Sequence, residues 1–298
     1  MKQKKVLFVY NAKAGKAQIK NKLVDIIDIF VKAGYIVTAY PTQAKGDAVR
    51  AVRERESGYS LVVCSGGDGT LDEVVAGMME SGKRLPIGYI PAGSTNDFAN
   101  SLKLPKTMQK AAMAVVEGKP FACDIGVMNR DYFVYVAAFG IFTDVSYETD
   151  QQMKNLLGHM AYLLEGMKRL PSIRSYHMKV SCAELEVEDD FLFGMITNSV
   201  SVGGFKSITG KNVTLDDGVF EVTLIKRPRT AMEINQLMTA LVAGNLDQAV
   251  MHCFRTANLT ITSEQPVAWT RDGEYGGEQT EVHITNLKKA VKIMIPDK

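Results

Sequence analysis

The first third of the chain alternates two hydrophobic periods. Val6–Tyr10 is a continuous apolar run that ends in the small-residue stretch Asn11-Ala12-Lys13-Ala14-Gly15-Lys16. From Ala17 to Ala33, apolar residues recur at Ile19, Leu23, Ile26, Ile27 and Phe30, close to the helical period, and Gly34 ends the run. Tyr35–Tyr40 reads as a strand, Asp47–Ser57 as a charged surface helix capped at Gly46 or Asp47, and Tyr59–Ser65 as a buried strand. A helix over Thr70–Met79, a strand over Ile87–Ile90 and a further helix after Asp97 complete the series. Repeated strand–loop–helix units of this length predict a parallel sheet covered by helices on both faces.

The pattern changes near Pro120, where strands begin to dominate. They are expected at Ala122–Met128, Tyr132–Phe139, His177–Val180, Leu185–Val187, Phe191–Ser199, Gly218–Ile225, Asn258–Thr262 and Glu281–Thr285. Helical patterns interrupt them at Gln152–Leu170 and Ala231–Val242. The fold class expected is an α/β N-terminal domain over 1–122, followed by a mostly antiparallel β-sandwich domain over 123–286. Residues 287–298, with the strand Ala290–Ile295, are candidates to return to the first domain.

Composition narrows the function classes. With 298 residues the chain accommodates two domains, and 46% hydrophobic with 23% charged residues is a globular balance. A net charge of +2 with scattered basic residues leaves no footprint for nucleic acid. Cys64, Cys123, Cys182 and Cys253 are too dispersed for a disulfide framework, and the four histidines lack zinc-ligand spacing. No apolar run approaches the ~18 residues that suggest a spanning helix. The expectation is a cytoplasmic protein that meets a membrane, if at all, at the surface of its inner face.

In an open parallel sheet, ligands bind beyond the carboxyl ends of the strands. Three loops there are rich in glycine and small polar residues: Asn11–Lys16, Gly66-Gly67-Asp68-Gly69-Thr70 and Ala92-Gly93-Ser94-Thr95-Asn96-Asp97. Glycines admit a polyphosphate close to the backbone, and a following helix presents unpaired N–H groups to it. Thr70 and Thr95 add hydroxyls, and Asp68 is an oxygen ligand suited to Mg²⁺. The spacing fits neither a Walker A loop nor a dinucleotide fingerprint.

Together, Gly66–Thr70 and Gly93-Ser94-Thr95-Asn96-Asp97-Phe98-Ala99 resemble the catalytic domain of diacylglycerol kinases and related bacterial soluble lipid kinases, shared with sphingosine and ceramide kinases. Leu215-Asp216-Asp217-Gly218 and Asp272-Gly273-Glu274 resemble two further motifs of that family, and Asn198 with Gly203-Gly204 its central glycine stretch. The first motif alone is shared with NAD kinases and phosphofructokinases. The resemblance spans essentially the whole chain and implies ATP and Mg²⁺ as cofactors. The nucleotide contacts it implies are Asn11, Ala12, Lys13, Ala14, Gly15, Lys16, Thr42, Gly66, Gly67, Asp68, Gly69, Thr70, Leu71, Asp72, Gly93, Ser94, Thr95 and Asn96. It further implies Glu274 as catalytic base, Asp68 and Asp97 as organisers of Mg²⁺–ATP, and a structural Mg²⁺ on Asp217 and the carbonyls of Thr214 and Val219. Read without the family, Asp272–Glu274 is a solvated β-turn and Asp217 belongs to a turn before a strand.

The chain departs from the family pattern at Asn100, where many relatives carry arginine, at Asp72, where asparagine is usual, and at Ala12, often proline. The implied partner is a lipid substrate at the membrane surface, with a homodimer as a further possibility and no nucleic acid. The activity expected is phosphorylation of a lipid hydroxyl, diacylglycerol to phosphatidic acid first. Alternatives are another lipid (phosphatidylglycerol or a sphingoid base), a soluble acceptor such as NAD, or a non-catalytic nucleotide-binding regulator. The Leu- and Met-rich segment Leu156–Leu170 reads as core packing.

Overall fold

The structure is a computed structural model; it describes residues 3–55, 58–140, 174–200, 202, 213–243 and 249–297. The helix expected at Gln152–Leu170 and the glycines Gly203 and Gly204 lie outside the described residues. The chain divides into two compact units: Met1–Ile125 with Lys288–Lys298, and Gly126–Leu287.

The first unit is a parallel sheet wound with helices. Its strands are β1 (Lys4–Tyr10), β2 (Tyr35–Pro41), β3 (Leu61–Gly66) and β4 (Ile87–Pro91). Its helices are α1 (Ile19–Lys32), α2 (Asp47–Arg55), α3 (Asp68–Glu80), α4 (Asp97–Ser101) and α5 (Met108–Glu117). β1 pairs in parallel with both β2 and β3, and β3 with β4. On the far side of β4, Ile293 pairs in parallel with Ile87. Burial on both faces explains why β1 and β3 read as unbroken apolar runs rather than alternating ones. Val6, Phe8, Leu61 and Val63 pack with Ile19, Ile26 and Phe30 of α1 and with Met108, Ala111 and Val115 of α5. Leu7, Val9 and Val62, which alternate with them, are equally buried. α2 packs on α3.

The second unit is antiparallel. It contains β6 (Asp131–Phe133), β7 (Val136–Gly140), β8 (Tyr176–Cys182), β9 (Glu186–Thr197), β10 (Phe220–Lys226), α6 (Ala231–Ala243), β11 (Met251–Thr256) and β12 (Asn258–Arg271). Two strands run across the division between the units, β5 (Lys119–Met128) and β13 (Glu274–Ile295). The sheet order is β11-β10-β9-β7-β12-β13. The long strands β9 and β12 each pair with β7 over one stretch and with β8 over another. Trp269, fully buried, has its ring centroid 4.9 Å from that of Phe139 in the core of this unit.

Several elements differ from their sequence reading. Tyr132–Phe139 is two strands, β6 and β7, because Val134 and Tyr135 turn their N–H groups onto a carboxylate instead of a ladder. The strands expected at Leu185–Val187 and Phe191–Ser199 merge into the single strand β9, which ends at Thr197, and the last two expected strands are parts of the 22-residue β13. β11 and α5 have no counterpart among the expected elements.

Candidate functional site

β4, β3, β1 and β2 lie side by side, so the loops that leave their carboxyl ends form one edge. Backbone hydrogen bonds join these loops directly. Asn11 N–H donates to the Ser65 carbonyl (2.9 Å), Ala92 N–H to the Gly66 carbonyl (2.7 Å), and Thr42 N–H to the Tyr10 carbonyl (2.9 Å). The Asn11 side chain accepts the Lys13 N–H at 2.9 Å and so shapes the first loop from within.

Two glycines permit backbone-on-backbone contact. A Cβ on Gly15, whose φ is +53°, would lie 2.2 Å from the Ala92 oxygen, and one on Gly93 would lie 2.5 Å from the Gly67 Cα. No side chain fits at either point, so the loops of β1, β3 and β4 interlock through their main chains. Asn96, left-handed at φ +52°, braces the third loop: its Oδ1 accepts Gly93 N–H at 2.9 Å and its Nδ2 donates to the Gly93 carbonyl at 2.8 Å.

α3 starts at Asp68 with Gly67 as its N-cap and no side-chain cap, and Thr70 and Leu71 direct their N–H groups back to the Gly67 carbonyl. The first turn of this 13-residue helix therefore faces the edge with the positive end of its dipole. Asp68 is half-buried, and its Oδ2 accepts the Asp97 N–H at 3.1 Å. Asp97 itself has 0% exposure. Its carboxylate is enclosed by protein, and its backbone is what meets Asp68. Ser94, Lys13, Gly15 and Lys16 are exposed, whereas Asn11, Ala12, Ala14, Thr42, Gly67, Gly69, Thr70, Asp72, Gly93, Thr95 and Asn96 are partly buried, and Gly66 and Leu71 are buried.

Three residues outside the implied nucleotide contacts hold this edge in place. Tyr89, buried in β4, makes long contacts of 3.4 Å from its hydroxyl to the Gly66 carbonyl and to Asn96 Oδ1. Burial pushes its phenol well above the ordinary value, and the charge of Asp68 adds to the effect. Glu73 of α3 accepts Gly46 N–H (2.8 Å) and Ala48 N–H (3.1 Å), so a carboxylate from a neighbouring helix caps α2. Asp47 is buried and accepts Gln43 N–H (2.7 Å) and Ala44 N–H (3.0 Å), fixing the loop that carries Thr42. Those two N–H groups, with Arg50 beside them, hold the Asp47 carboxyl below its ordinary value. The polar residue next to a helix start was visible in the sequence; that Glu73 reaches across 27 positions was not.

The second unit carries the other candidates. Asp272 and Gly273, at φ +49° and +83°, form the two-residue turn between β12 and β13. Asp272 is not a solvated turn acid. It is 6% exposed, its Oδ2 accepts Val134 N–H (2.5 Å), and its Oδ1 accepts Tyr135 and Val136 N–H (2.9 Å each). Glu274, two residues on, is exposed at the start of β13 and paired opposite Arg271. The same motif thus contains one inward acid and one outward acid. Asn198 is fully buried at the end of β9, with its N–H on the Tyr135 carbonyl at 2.9 Å.

Asp217 sits in the turn before β10, where its Oδ1 accepts Val219 N–H at 3.2 Å and its Oδ2 is ion-paired with the Arg255 guanidinium. Burial raises the neighbouring Glu221 to about 7, against the opposing pull of Arg255. Among the described residues, no three His, Cys, Asp or Glu side chains group as metal ligands, and no helix is long and apolar enough to cross a membrane.

Comparison with known proteins agrees with both halves of the fold. Residues 5–128 match the diacylglycerol kinase catalytic domain, and residues 136–295 match the YegS C-terminal NAD kinase beta sandwich-like domain. The chain is 33% identical over 296 residues to a diacylglycerol kinase of Staphylococcus carnosus (strain TM300), covering 99% of this chain and 96% of that one. It is 31% identical over 297 residues to a diacylglycerol kinase of Bacillus subtilis (strain 168), covering 98% and 97%. A crystal structure of a diacylglycerol kinase from Bacillus anthracis strain Sterne superposes with a TM-score of 0.77 at 22% identity, covering 99% of this chain and 98% of that one, a likeness of fold. With interlocked glycine loops at one sheet edge and full-length relatives above 30% identity, the chain belongs to the diacylglycerol kinase family and is a kinase.

Proposed function

We propose that this kinase transfers the γ-phosphate of ATP to a lipid hydroxyl, with diacylglycerol as acceptor and phosphatidic acid as product. The observation that carries the nucleotide half is the backbone interlock at Gly15, Gly67 and Gly93, which brings the loops after β1, β3 and β4 together at one edge beside the first turn of α3. The lipid half is supported by the names of the relatives.

On this reading the loops after β1, β3 and β4 bind the phosphates, and the first turn of α3 adds its dipole. Thr42 lies on the neighbouring loop, within reach of the rest of the nucleotide. Mg²⁺ carried with ATP would neutralise charge on the phosphates. Asp68 fits as its protein carboxylate, since it is partly exposed and held in one orientation by the Asp97 N–H. Asp97 is a positioning residue for Asp68 rather than a ligand. Glu274 accepts the proton of the acceptor hydroxyl as its oxygen attacks the γ-phosphorus; the bond to the β–γ bridging oxygen breaks and ADP leaves. The enzyme would work at the inner membrane surface without crossing it.

The test is a radiolabelled ATP assay with and without Mg²⁺, offering dioleoylglycerol, phosphatidylglycerol, sphingosine and NAD in separate reactions. Labelled phosphatidic acid is the expected product, and Glu274→Gln should lower its rate by roughly 10²–10⁴-fold. Labelled NAD with no labelled lipid would overturn the acceptor. Near-normal turnover by folded Glu274→Gln would remove the base.

A further inference from the structure

The turn Leu215–Val219 already contains a positive charge. Asp217 uses one carboxylate oxygen to accept the Val219 N–H, and its other oxygen is in contact with Arg255. Arg255 does not serve Asp217 alone, because its Nε lies 3.2 Å from Oε1 of Glu221. Glu221 and Arg255 are directly opposite each other in the β10–β11 ladder, so the strand register fixes their approach. The Glu221 side chain is 10% exposed, and its Oε1 meets the Arg255 guanidinium at ion-pair distance without an aligned hydrogen bond, while Asp217 contacts the same guanidinium from the turn. A guanidinium stays charged at every pH at which the protein is folded, and its planar fork suits two carboxylates at once.

The family resemblance implies a divalent ion on Asp217 and the carbonyls of Thr214 and Val219. The residues present do not fit that ion well. The only carboxylate in the implied set is engaged on both oxygens, and a divalent cation there would lie against the positive charge of Arg255. We propose that Arg255 is the resident cation of this turn, bridging Asp217 and Glu221, and that Leu215–Val219 holds its shape without a bound metal. The proposal goes beyond the phosphotransfer reading and does not depend on it.

Thermal unfolding of the full-length, nucleotide-free protein in EDTA and in millimolar MgCl₂ tests it. The wild-type midpoint should agree between the two conditions within about 1 °C. Arg255→Met should lower the midpoint by roughly 3–8 °C in EDTA, since it removes the ion pair of Asp217 and the charge that offsets the burial of Glu221. MgCl₂ should then restore part of the loss, and adding Asp217→Asn to Arg255→Met should abolish that response. If Arg255→Met does not fold, Arg255→Met/Glu221→Gln removes the stranded carboxylate on the strand and should show the same metal response. Electron paramagnetic resonance with MnCl₂ counts bound ions directly, with none at Asp217 expected in the wild type. A wild-type midpoint that rises with MgCl₂ and loses the rise in Asp217→Asn overturns the proposal. So does an Arg255→Met protein whose stability responds neither to the lost arginine nor to the metal.

Discussion

Asp272 offers the sharpest test of how the second unit is held, because two acids of one short motif are assigned opposite jobs. Replacing Asp272 by Asn keeps size and turn propensity but removes the charge from three hydrogen bonds, to the N–H groups of Val134, Tyr135 and Val136. A bond to a charged acceptor contributes about 1.5–3 kcal/mol against about 1 for a neutral one, so the lost charge costs roughly 1.5–6 kcal/mol over the three bonds. The amide's own NH₂ must also face one of the three donors, which places the loss in the upper half of that range. Asp272→Ala leaves all three N–H groups without their acceptor and should cost about 5 kcal/mol, limited by whatever water enters. Glu274→Gln, at an exposed site, should stay within about 0.5 kcal/mol of the parent. Guanidinium unfolding followed by tryptophan fluorescence is the assay. Trp269 is the only tryptophan and is buried three positions from the turn, so the signal reports this unit by itself. The expected result is a lower midpoint at unchanged slope for Asp272→Asn and a parental midpoint for Glu274→Gln. An Asp272→Asn protein that unfolds at the parental midpoint would refute the reasoning, since the three short bonds would then contribute nothing net.

Gly15→Ala should drive the first and third loops apart, because its Cβ meets the Ala92 oxygen at 2.2 Å and its φ of +53° disfavours a side chain. A stability loss of roughly 1–3 kcal/mol and at least tenfold weaker ATP binding by calorimetry are expected, and parental affinity would contradict the interlock. His177 bonds Asp190 through Nδ1 and Glu188 through Nε2, each at 3.1 Å, and these raise its pKa above the ordinary 6.5. Its contribution to stability is therefore complete below the unfolded value and fades as pH climbs through the raised folded one. An NMR titration should find that raised value, and Asp190→Asn should bring it down; no movement would refute the pairing.

The sequence alone carried the class of fold and the place of the glycine-rich loops, because both follow from local rules. Strands buried on both faces, such as Val6–Tyr10, must be apolar throughout, and a helix such as α1 must show its buried stripe at Ile19, Ile26 and Phe30. Glycine at Gly15 and Gly93 is legible for the same reason, since only a residue without Cβ permits that approach. The D-G turn at Asp272-Gly273 is similarly local. What the sequence could not decide is where backbone groups find partners far along the chain. Val134–Val136 look like the middle of a strand until their N–H groups meet a carboxylate more than 130 positions away. The charged stretch before Ala290 looks like a loop, yet it belongs to β13, where Lys289 takes φ +55° and donates its N–H to Asp124 at 2.7 Å.

The acids show the difference most plainly. Asp68, Asp97, Asp217 and Glu274 read as candidates for chemistry because each stands beside glycine or in a motif, and Asp272 reads as a solvated turn acid. Tertiary structure separates them: Asp97 and Asp272 are enclosed, Asp217 is given to Arg255, Asp68 is half-buried against the Asp97 backbone, and Glu274 is exposed. A carboxylate's role depends on which donors surround it in space, and that is set by strand register and loop approach rather than by its neighbours in sequence.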